Sequence, residues 1–320
     1  MMKIGFVSDS LGGLSFEDML DNAARLGVQG VEVNTCGWST APHFDMQAMK
    51  SSAAARKTFT NAFDVRGLEI ISLNANGNPT HPTEPQQAEG LKDTIRIAGE
   101  MGLKTVCTMS GLPAGKRGDD MPNWVVSSWP PETRQILDYQ WNEVLIPFWT
   151  GIATLAKECG VERIALEMHG NQCVYNVPTL LKLREAVGPV IGANLDPSHL
   201  FWMGADPLMV VETLSGAIHH VHAKDTWLNA SVQATTSLLE NGGLTDIAAR
   251  SWSYITLGIG HDETWWRQFC YRLKMGGYDG WLSIEHEDII LNSLEGLERS
   301  VRLLKLVAPV APSDFRLQAI

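Results

Sequence analysis

The chain alternates short runs rich in apolar and β-branched residues with longer segments that have the periodicity of amphipathic helices, such as SFEDMLDNAARLG and DETWWRQFCYRLKMGG. Several of these segments end in glycine just before the next apolar run, as helix C-caps do. Because parallel strands need crossover connections, strands that alternate with helices predict parallel pairing. The predicted strands are residues 3–8, 30–35, 68–74, 104–109, 163–168, 190–196, 218–224 and 280–286.

Eight strand–helix units predict an α/β fold, a single closed (β/α)8 TIM barrel that spans residues 1–320. An open, doubly wound sheet is the alternative architecture. The glycines after the first predicted strand, in SDSLGGLSFED, lack the spacing of a dinucleotide-binding fingerprint. The closed barrel is therefore the favoured prediction.

Two connections are too long to be simple loops of a barrel. They cover about residues 110–138, after the fourth predicted strand, and about residues 225–261, after the seventh. Both leave from the carboxyl ends of strands, the face where barrel enzymes carry their active sites. The first insertion contains Trp124 and Trp129, side chains that are unfavourable when fully exposed. We therefore expect ordered rim segments that cover a pocket or contact another subunit, rather than disordered loops.

Composition narrows the classes of partner. The formal net charge of −11 argues against binding to a nucleic-acid backbone, which relies on Lys and Arg. No apolar stretch approaches the roughly 20 residues that cross a bilayer, so no membrane association is predicted. The first residues indicate a strand rather than a signal peptide. Five cysteines without metal-finger spacing favour reduced thiols and a cytoplasmic protein.

Ionisable side chains follow four consecutive predicted strands. A barrel brings such positions close to one centre, where uncompensated carboxylates repel each other and lose hydration. A divalent cation removes this problem, and carboxylates with one imidazole suit Mn²⁺, Mg²⁺ or Co²⁺ better than Zn²⁺. Salt bridges among the same groups are the alternative. The residues are Glu167 and His169 after strand five, Asp196 and His199 after six, His222, Lys224 and Asp225 after seven, and Glu285, His286, Glu287 and Asp288 after eight.

The segments ALEMHG, NLDPSHLFW, VHAKD and SIEHED, in this order across nearly the whole chain, resemble the sugar phosphate isomerase/epimerase-like family of xylose isomerase-type TIM barrels. The resemblance implies one divalent metal, Mn²⁺ before Mg²⁺ or Co²⁺, and a substrate contact from His199. The ligands that it implies are Glu167, Asp196, His222 and Glu285.

Further substrate contacts are expected from Lys224, Asn74 and Trp38, which lie at or just after predicted strands. Lys224 could donate to an oxyanion that develops on the substrate. A pairing of its ammonium with Asp225 or a ligand carboxylate is an equal alternative.

Residues 122–149, PNWVVSSWPPETRQILDYQWNEVLIPFW, resemble a narrower group that includes the catalytic subunits of C-glycoside deglycosidases and related 3-oxo-glycoside lyases. This resemblance implies a 3-oxo-glycoside as substrate, made by a separate dehydrogenase. It also implies an oligomer in which a small second subunit can take part.

Isomerases, epimerases and 3-oxo-glycoside lyases all remove a proton from the carbon next to a carbonyl group. His169 is the first choice of base because an imidazole titrates near neutrality. Glu167 and Glu285 are the alternative acid/base pair that the ketose 3-epimerases imply. The predicted reaction is β-elimination from a 3-oxo-glycoside such as a C-glycoside, with ketose isomerisation or 3-epimerisation as the alternative.

Two remote alternatives belong to other classes. Endonuclease IV-type DNA repair proteins share this barrel but use more histidines and a basic groove, which the net charge of −11 disfavours. A non-catalytic sugar-binding barrel would need no base, so the loss of His169 would then change affinity alone.

Overall fold

The strands of the protein form a closed parallel barrel in a computed structural model that describes residues 2–309 and 311–315. Residues 1, 310 and 316–320, which the predicted domain includes, lie outside these ranges. The strands are β1 (Lys3–Val7), β2 (Gly30–Asn34), β3 (Glu69–Ala75), β4 (Thr105–Met109), β5 (Arg163–Glu167), β6 (Ile191–Leu195), β7 (Ile218–Ala223), β8 (Asp225–Leu228), β9 (Trp252–Ile255) and β10 (Trp281–Ile284).

The barrel closes in the order β1-β10-β7-β6-β5-β4-β3-β2, and every pair of neighbours in it is parallel. The predicted (β/α)8 fold is thereby confirmed. Strands β8 and β9 form a separate antiparallel pair inside the second insertion. The sequence pattern did not predict this hairpin.

Helices surround the barrel and connect its strands. They are α1 (Phe16–Leu26), α2 (Met46–Ser51), α3 (Ala53–Asp64), α4 (Pro85–Glu100), α5 (Glu132–Asp138), α6 (Ile146–Cys159), α7 (Val177–Val187), α8 (Pro197–Trp202), α9 (Pro207–Thr213), α10 (Ala230–Thr236), α11 (Glu263–Met275) and α12 (Ser293–Val307). A π-helical stretch, Tyr139–Leu145, joins α5 to α6. Within the described ranges, every helix is too short or too polar to span a bilayer.

The ends of helix α1 show how the sequence sets these boundaries. The Ser15 side chain accepts a hydrogen bond from the Asp18 amide and caps the first turn. Gly27 ends the helix at φ +66°, a left-handed conformation that glycine adopts without strain. The chain then turns directly into β2, so a short helix suffices for the crossover.

Side chains alternate between the helix-facing and inner surfaces of the barrel, with apolar residues outside and polar ones inside. Val31 and Val33 of β2 are fully buried on the helix side, whereas Glu32 between them points into the barrel, where Asn74 and His222 contact it. The barrel interior therefore contains a layer of hydrogen-bonded polar groups beneath the carboxyl ends of the strands.

Candidate metal centre and active-site cavity

The four strand ends of the second half of the barrel meet at one point. Glu167 ends β5, Asp196 caps the first turn of α8, His222 lies on β7, and Glu285 follows β10. One ligand atom from each of these side chains lies within 4.8 Å of the others. The structure thus brings together the four residues for which the family resemblance implies metal binding.

Two buried atoms in this cluster, Asp196 Oδ2 and His222 Nδ1, make no aligned hydrogen bond, although Lys224 Nζ lies 3.3 Å from the first of them. The other ends of both groups are fixed, because Asp196 Oδ1 accepts from the Ser198 amide at 2.8 Å and His222 Nε2 lies 3.1 Å from Glu32 Oε1. Leaving buried polar atoms unpaired is costly. Three carboxylates and an imidazole also form an oxygen-rich donor set, so these residues fit a divalent cation.

Neighbouring cations keep the carboxylates of the cluster ionised. Burial opposes ionisation, but the adjacent imidazoles of His199 and His222 hold the pKa of Glu167 well below its usual range. Burial likewise opposes the anion of Asp196, but the Lys224 ammonium is the main influence that lowers the pKa of this carboxyl to about 2. The carboxylates of the cluster are therefore ionised, and in this structure Lys224 and the neighbouring histidines balance their charge.

Lys224 is only 3% exposed and lies among carboxylates. Its Nζ donates to Glu285 Oε2 at 2.6 Å and to Glu287 Oε2 at 3.0 Å, and it lies 3.3 Å from Asp196 Oδ2. Burial disfavours the ammonium, but Glu285 and the other carboxylates raise the pKa of Lys224 well above its usual value. Of the two roles predicted for Lys224, the structure thus shows the pairing with carboxylates of the cluster. The Lys224 side chain also lines the cavity.

His169 lies beside the cluster and faces the cavity. Burial, together with the positive charge of nearby His199, lowers the pKa of His169 to about 4, so its ring is neutral near pH 7. Its Nδ1 is hydrogen-bonded to the Gly170 carbonyl and must therefore be the donor. Nε2 then carries the lone pair, as a base requires.

His199 is fully buried and lies between the ligand carboxylates rather than on the cavity wall. Its Nε2 lies 2.8 Å from Glu167 Oε1, and the Tyr254 hydroxyl is 2.8 Å from its Nδ1. Burial opposes the imidazolium, but Asp196 raises the pKa of His199 to about 8. In this structure the His199 ring contacts Glu167 and Asp196 and holds both carboxylates in place. The substrate contact expected of His199 stays a prediction.

The two remaining predicted substrate contacts differ in position. Trp38 lines the cavity, half-exposed, with its ring centre 6.1 Å from that of His169. Asn74 lies one layer lower, where its amide donates to Glu32 Oε1 at 2.7 Å, and it does not line the cavity. Two residues further along the chain, Asn76 does line it and donates to Glu167 Oε2 at 2.7 Å. A substrate contact from this strand is therefore expected from Asn76.

The cavity has a volume of about 860 Å³, and both rim insertions contribute to its wall. Trp124 comes from the first insertion, whereas Trp252 and Tyr254 come from the β8–β9 hairpin of the second. Trp252 stacks on Trp202 at 4.8 Å between ring centres with 7° between the planes. The expectation that rim tryptophans cover a pocket thus matches Trp124, whereas Trp129 is 75% exposed outside the cavity.

Sequence reasoning missed several residues that the structure places at or beneath the site: Glu32, Asn76, Trp202 and Tyr254. For Glu32 a signal was present, since GVEVNT sets a carboxylate in the middle of a strand predicted to be buried. Buried carboxylates are rarely unpaired, so a hydrogen-bonding or charged partner for Glu32 could have been expected inside the barrel. For Tyr254 no pattern in the sequence indicated the hairpin that carries it.

Comparison with known proteins places this chain among related barrels. The profile of a family described as xylose isomerase-like TIM barrel matches residues 20–307, which confirms the resemblance inferred from the strand-end motifs. The uncharacterized protein YfiH of Bacillus subtilis (strain 168) is 46% identical over 308 residues, 95% of this chain and 98% of YfiH. An inosose dehydratase of Geobacillus thermodenitrificans (strain NG80-2) is 22% identical over 289 residues, 89% of this chain and 87% of that protein.

A crystal structure of the IolI protein with a bound zinc atom has a similar fold, with a TM-score of 0.65 and 18% identity. The superposition covers 96% of this chain and 98% of IolI. At this identity the comparison shows the fold alone.

Proposed function

Because this chain belongs to the xylose isomerase-like TIM barrel family, we propose that it is a metal-dependent sugar enzyme that removes a proton next to a sugar carbonyl. We further propose that the reaction is β-elimination from a 3-oxo-glycoside, such as a C-glycoside. The observation that carries the proposal is the clustered ligand set beside a neutral His169, at the base of one large cavity.

Glu167, Asp196, His222 and Glu285 are the residues proposed to hold the cation. Mn²⁺ is our first choice, with Mg²⁺ or Co²⁺ next, because three of the four donors are carboxylates. When bound, a divalent ion supplies Lewis-acid polarisation of the substrate carbonyl. The zinc atom in the IolI structure makes Zn²⁺ a further ion to test.

His169 removes the proton through Nε2. Its ring is neutral at neutral pH, but its pKa of about 4 lies below the near-neutral value for which the sequence favoured it, so it is a weaker base than an ordinary imidazole. A well-placed base contributes about 10²- to 10⁴-fold to the rate. The Gly170 carbonyl holds Nδ1–H and thereby keeps Nε2 directed away from its own backbone. Glu167 and Glu285 are the alternative acid/base pair, since both carboxylates reach the same centre.

Elimination then completes the reaction without an oxidant or reductant. The electron pair of the broken C–H bond becomes a C=C bond next to the carbonyl, and the bond from the β carbon to the leaving group breaks. The leaving group takes up a proton, so the products are an unsaturated keto sugar and the free aglycone. The inosose dehydratase among the relatives carries an elimination reaction in its name.

The size and lining of the cavity support a glycoside rather than a free ketose. Its volume of about 860 Å³ lies towards the upper end of the roughly 300–1,000 Å³ typical of small-molecule sites. The acidic cluster lies at the inner end, and aromatic side chains such as Trp38, Trp124 and Trp252 form the wall. A sugar ring at the cluster leaves space for a second group against these rings.

We also propose that the protein forms an oligomer, in which a small second subunit can take part, through the first rim insertion. Trp129, Val126 and Met121 of this insertion are all more than half exposed. Exposed apolar side chains grouped on one loop favour burial against another chain. A cytoplasmic location is proposed from the five cysteines, all of which are free thiols.

The reaction can be tested in D₂O with Mn²⁺-loaded protein and two substrates, a 3-oxo-C-glycoside and a free ketose. We expect release of the aglycone from the glycoside by the wild type. His169→Ala should slow release by about 10²-fold or more while substrate still binds, and Glu285→Gln should weaken metal binding as well. His219→Ala is the matched control, because His219 lies at the opposite, amino-terminal end of the barrel.

The outcomes separate the alternatives. Full activity of His169→Ala would transfer the base role to Glu167 or Glu285. Deuterium that enters recovered ketose, without release of a leaving group from the glycoside, would make the enzyme an epimerase or isomerase. No reaction of metal-loaded wild type with either substrate would refute the proposed chemistry.

A further inference from the structure

A fully buried carboxylate lies beneath the candidate metal centre. Glu32 projects from β2 into the barrel and is 0% exposed. Its Oε1 accepts from Asn74 Nδ2 at 2.7 Å and lies 3.1 Å from His222 Nε2, and its Oε2 lies 2.7 Å from His220 Nε2. Nothing in the proposed reaction uses this group directly, yet it contacts one of the four proposed metal ligands.

These distances indicate hydrogen bonds rather than a second metal site. Glu32, His220 and His222 are residue types that could ligate a cation, and their ligand atoms are close together. Donor atoms arranged tetrahedrally at about 2.0–2.2 Å from a zinc ion are roughly 3.3 Å apart. The separation of 2.7 Å between Glu32 Oε2 and His220 Nε2 is shorter and matches an N–H···O bond. Each carboxylate oxygen of Glu32 therefore already has an imidazole partner.

We propose that Glu32 is a positioning residue for the metal centre, which accepts a hydrogen bond from His222 Nε2–H and so directs the Nδ1 lone pair of the same ring at the cation. This inference rests on the metal-binding part of the proposed function. The ring has two nitrogens, and only one can carry the proton when the imidazole is neutral. A carboxylate accepts but cannot donate, so it fixes the proton on Nε2.

The other face of the ring agrees with this assignment. His222 Nδ1 has no hydrogen-bond partner and lies 3.4 Å from Glu167 Oε2 and 3.5 Å from Glu285 Oε2. It therefore faces the centre of the ligand cluster. A proton on Nδ1 would instead point into the space that a cation shares with these carboxylates.

Asn194 also lies against this ring nitrogen. Its amide is placed with Nδ2 3.1 Å from His222 Nε2, and its Oδ1 is buried without a partner. The oxygen and nitrogen of an amide have nearly the same shape. A protonated Nε2 requires the reversed amide, in which Oδ1 shares the Nε2–H with Glu32 Oε1 and Nδ2 takes the unpaired position.

His220 and Asn74 keep the carboxylate in place. His220 holds Oε2 and Asn74 holds Oε1, so Glu32 cannot rotate away from His222 without breaking both bonds. A carboxylate behind a metal-binding histidine also raises the basicity of the ligating nitrogen. Glu32 thereby contributes both orientation and charge to a residue 190 positions later in the chain.

The test measures metal binding directly and needs no substrate. Protein stripped with a chelator is titrated calorimetrically with MnCl₂ and with ZnCl₂, as wild type and as Glu32→Gln. We expect one ion per chain in both proteins and an affinity about 10- to 100-fold lower in Glu32→Gln, the usual effect of losing such a partner. Glu69→Gln is the matched control, since Glu69 lies on the next strand, is exposed and pairs with Lys3. Its affinity should equal that of the wild type.

A second readout reports the tautomer. In ¹⁵N-histidine-labelled protein loaded with Zn²⁺, long-range proton–nitrogen spectra should show the His222 proton on Nε2 and none on Nδ1 in the wild type, with an Nε2–H signal shifted upfield in Glu32→Gln because its hydrogen bond is weaker. Where Glu32→Gln does not fold, as judged by circular dichroism, Glu32→Asp serves instead. The shorter side chain keeps the charge but lengthens the bond, and an intermediate loss of affinity is expected.

Three results would overturn the inference: unchanged affinity in a folded Glu32 variant, a proton on Nδ1 of His222 in the zinc-loaded wild type, or a second bound ion that Glu32→Gln removes. Wild-type protein that binds one ion but converts no sugar would refute the proposed reaction and leave the role of Glu32 intact. Wild-type protein that binds neither ion would refute both.

Discussion

The substitution Gly170→Ala should destabilise the protein and disturb the active-site wall. Gly170 directly follows His169, and a Cβ atom at this position would lie 2.2 Å from Trp202 Cη2 and 2.6 Å from Cζ2. Carbon atoms prefer separations of about 3.5–4.0 Å. The tryptophan ring would therefore have to move by more than 1 Å, about the difference between these distances.

Trp202 cannot move at low cost. Its ring is buried and stacked on Trp252, whose ring centre is 4.8 Å away. Overpacking of this kind costs about 1–3 kcal/mol. A Gly→Ala change also lowers the conformational entropy of the unfolded chain, which stabilises the folded protein by about 0.4–1 kcal/mol. The net expectation is a destabilisation of about 1–2 kcal/mol. We also expect a reduced kcat/KM, because Trp202 and the proposed base His169 line the same cavity.

The free energy of unfolding is measured from urea titrations that follow tryptophan fluorescence. Gly151→Ala is the matched control, because Gly151 lies in α6 and a Cβ there meets no atom within 4 Å. Alanine in a helix is favoured over glycine by about 0.5–1 kcal/mol, so this control should be stabilised. Trp202→Phe combined with Gly170→Ala should recover part of the loss. Wild-type stability and fluorescence in Gly170→Ala would refute the packing argument.

Two further predictions concern other parts of the molecule. Trp129→Ser should shift the sedimentation profile towards smaller species, because the exposed indole is proposed to lie in a subunit contact; a monomeric wild type with the same profile would exclude that contact. Burial lowers the pKa of His219 to about 4, so the unfolded chain takes up a proton on this group at higher pH than the native protein. Stability should therefore fall by roughly 1–2 kcal/mol between pH 7 and pH 5 on account of His219. His219→Gln should flatten the thermal-melting profile over this range, and identical profiles would show that the group titrates normally.

The fold and the ligand cluster could be predicted from the sequence because both depend on order along the chain. Eight strand–helix units leave few closed arrangements, and parallel strands of a barrel all end at one face. A carboxylate or imidazole at the end of each of four consecutive strands must therefore approach a common centre. Topology alone leaves two or more ionisable candidates at each strand end, and the family resemblance selects Glu167, Asp196, His222 and Glu285 among them.

Depth within the barrel could not be predicted in the same way. Alternation tells which side of a strand a residue faces, but not how far below the rim it lies. Asn74 of β3 and Asn76, one residue beyond the end of β3, have the same parity along the chain, yet the first contacts Glu32 inside the barrel and the second contacts Glu167 at the rim. Which groups of the neighbouring strands lie level with Asn74 and Asn76 depends on the stagger between the strands.

The histidine of α8 shows a second limit of sequence reasoning. His199 follows Asp196 by three residues, and the first turn of the helix carries its ring back over the strand end, towards Glu167. The Tyr254 hydroxyl, from a hairpin more than 50 residues later, then closes the other side of the ring. A contact between a helix turn and a distant insertion depends on how the rim packs, and no local pattern encodes it.

His222 links the two polar layers of the barrel, and this arrangement bears on how the site keeps its shape. Its Nδ1 belongs to the upper layer with the carboxylates of β5 and β10, and its Nε2 belongs to the lower layer with Glu32. The lower layer is enclosed by the strands, and its hydrogen bonds join protein groups only. A ring fixed from below loses little freedom when its upper nitrogen ligates a metal, and a preorganised ligand binds more tightly for that reason. Burial of the Glu32 carboxylate on β2 thus carries an unfavourable desolvation free energy during folding. In exchange, the metal centre loses less conformational entropy when it binds a cation.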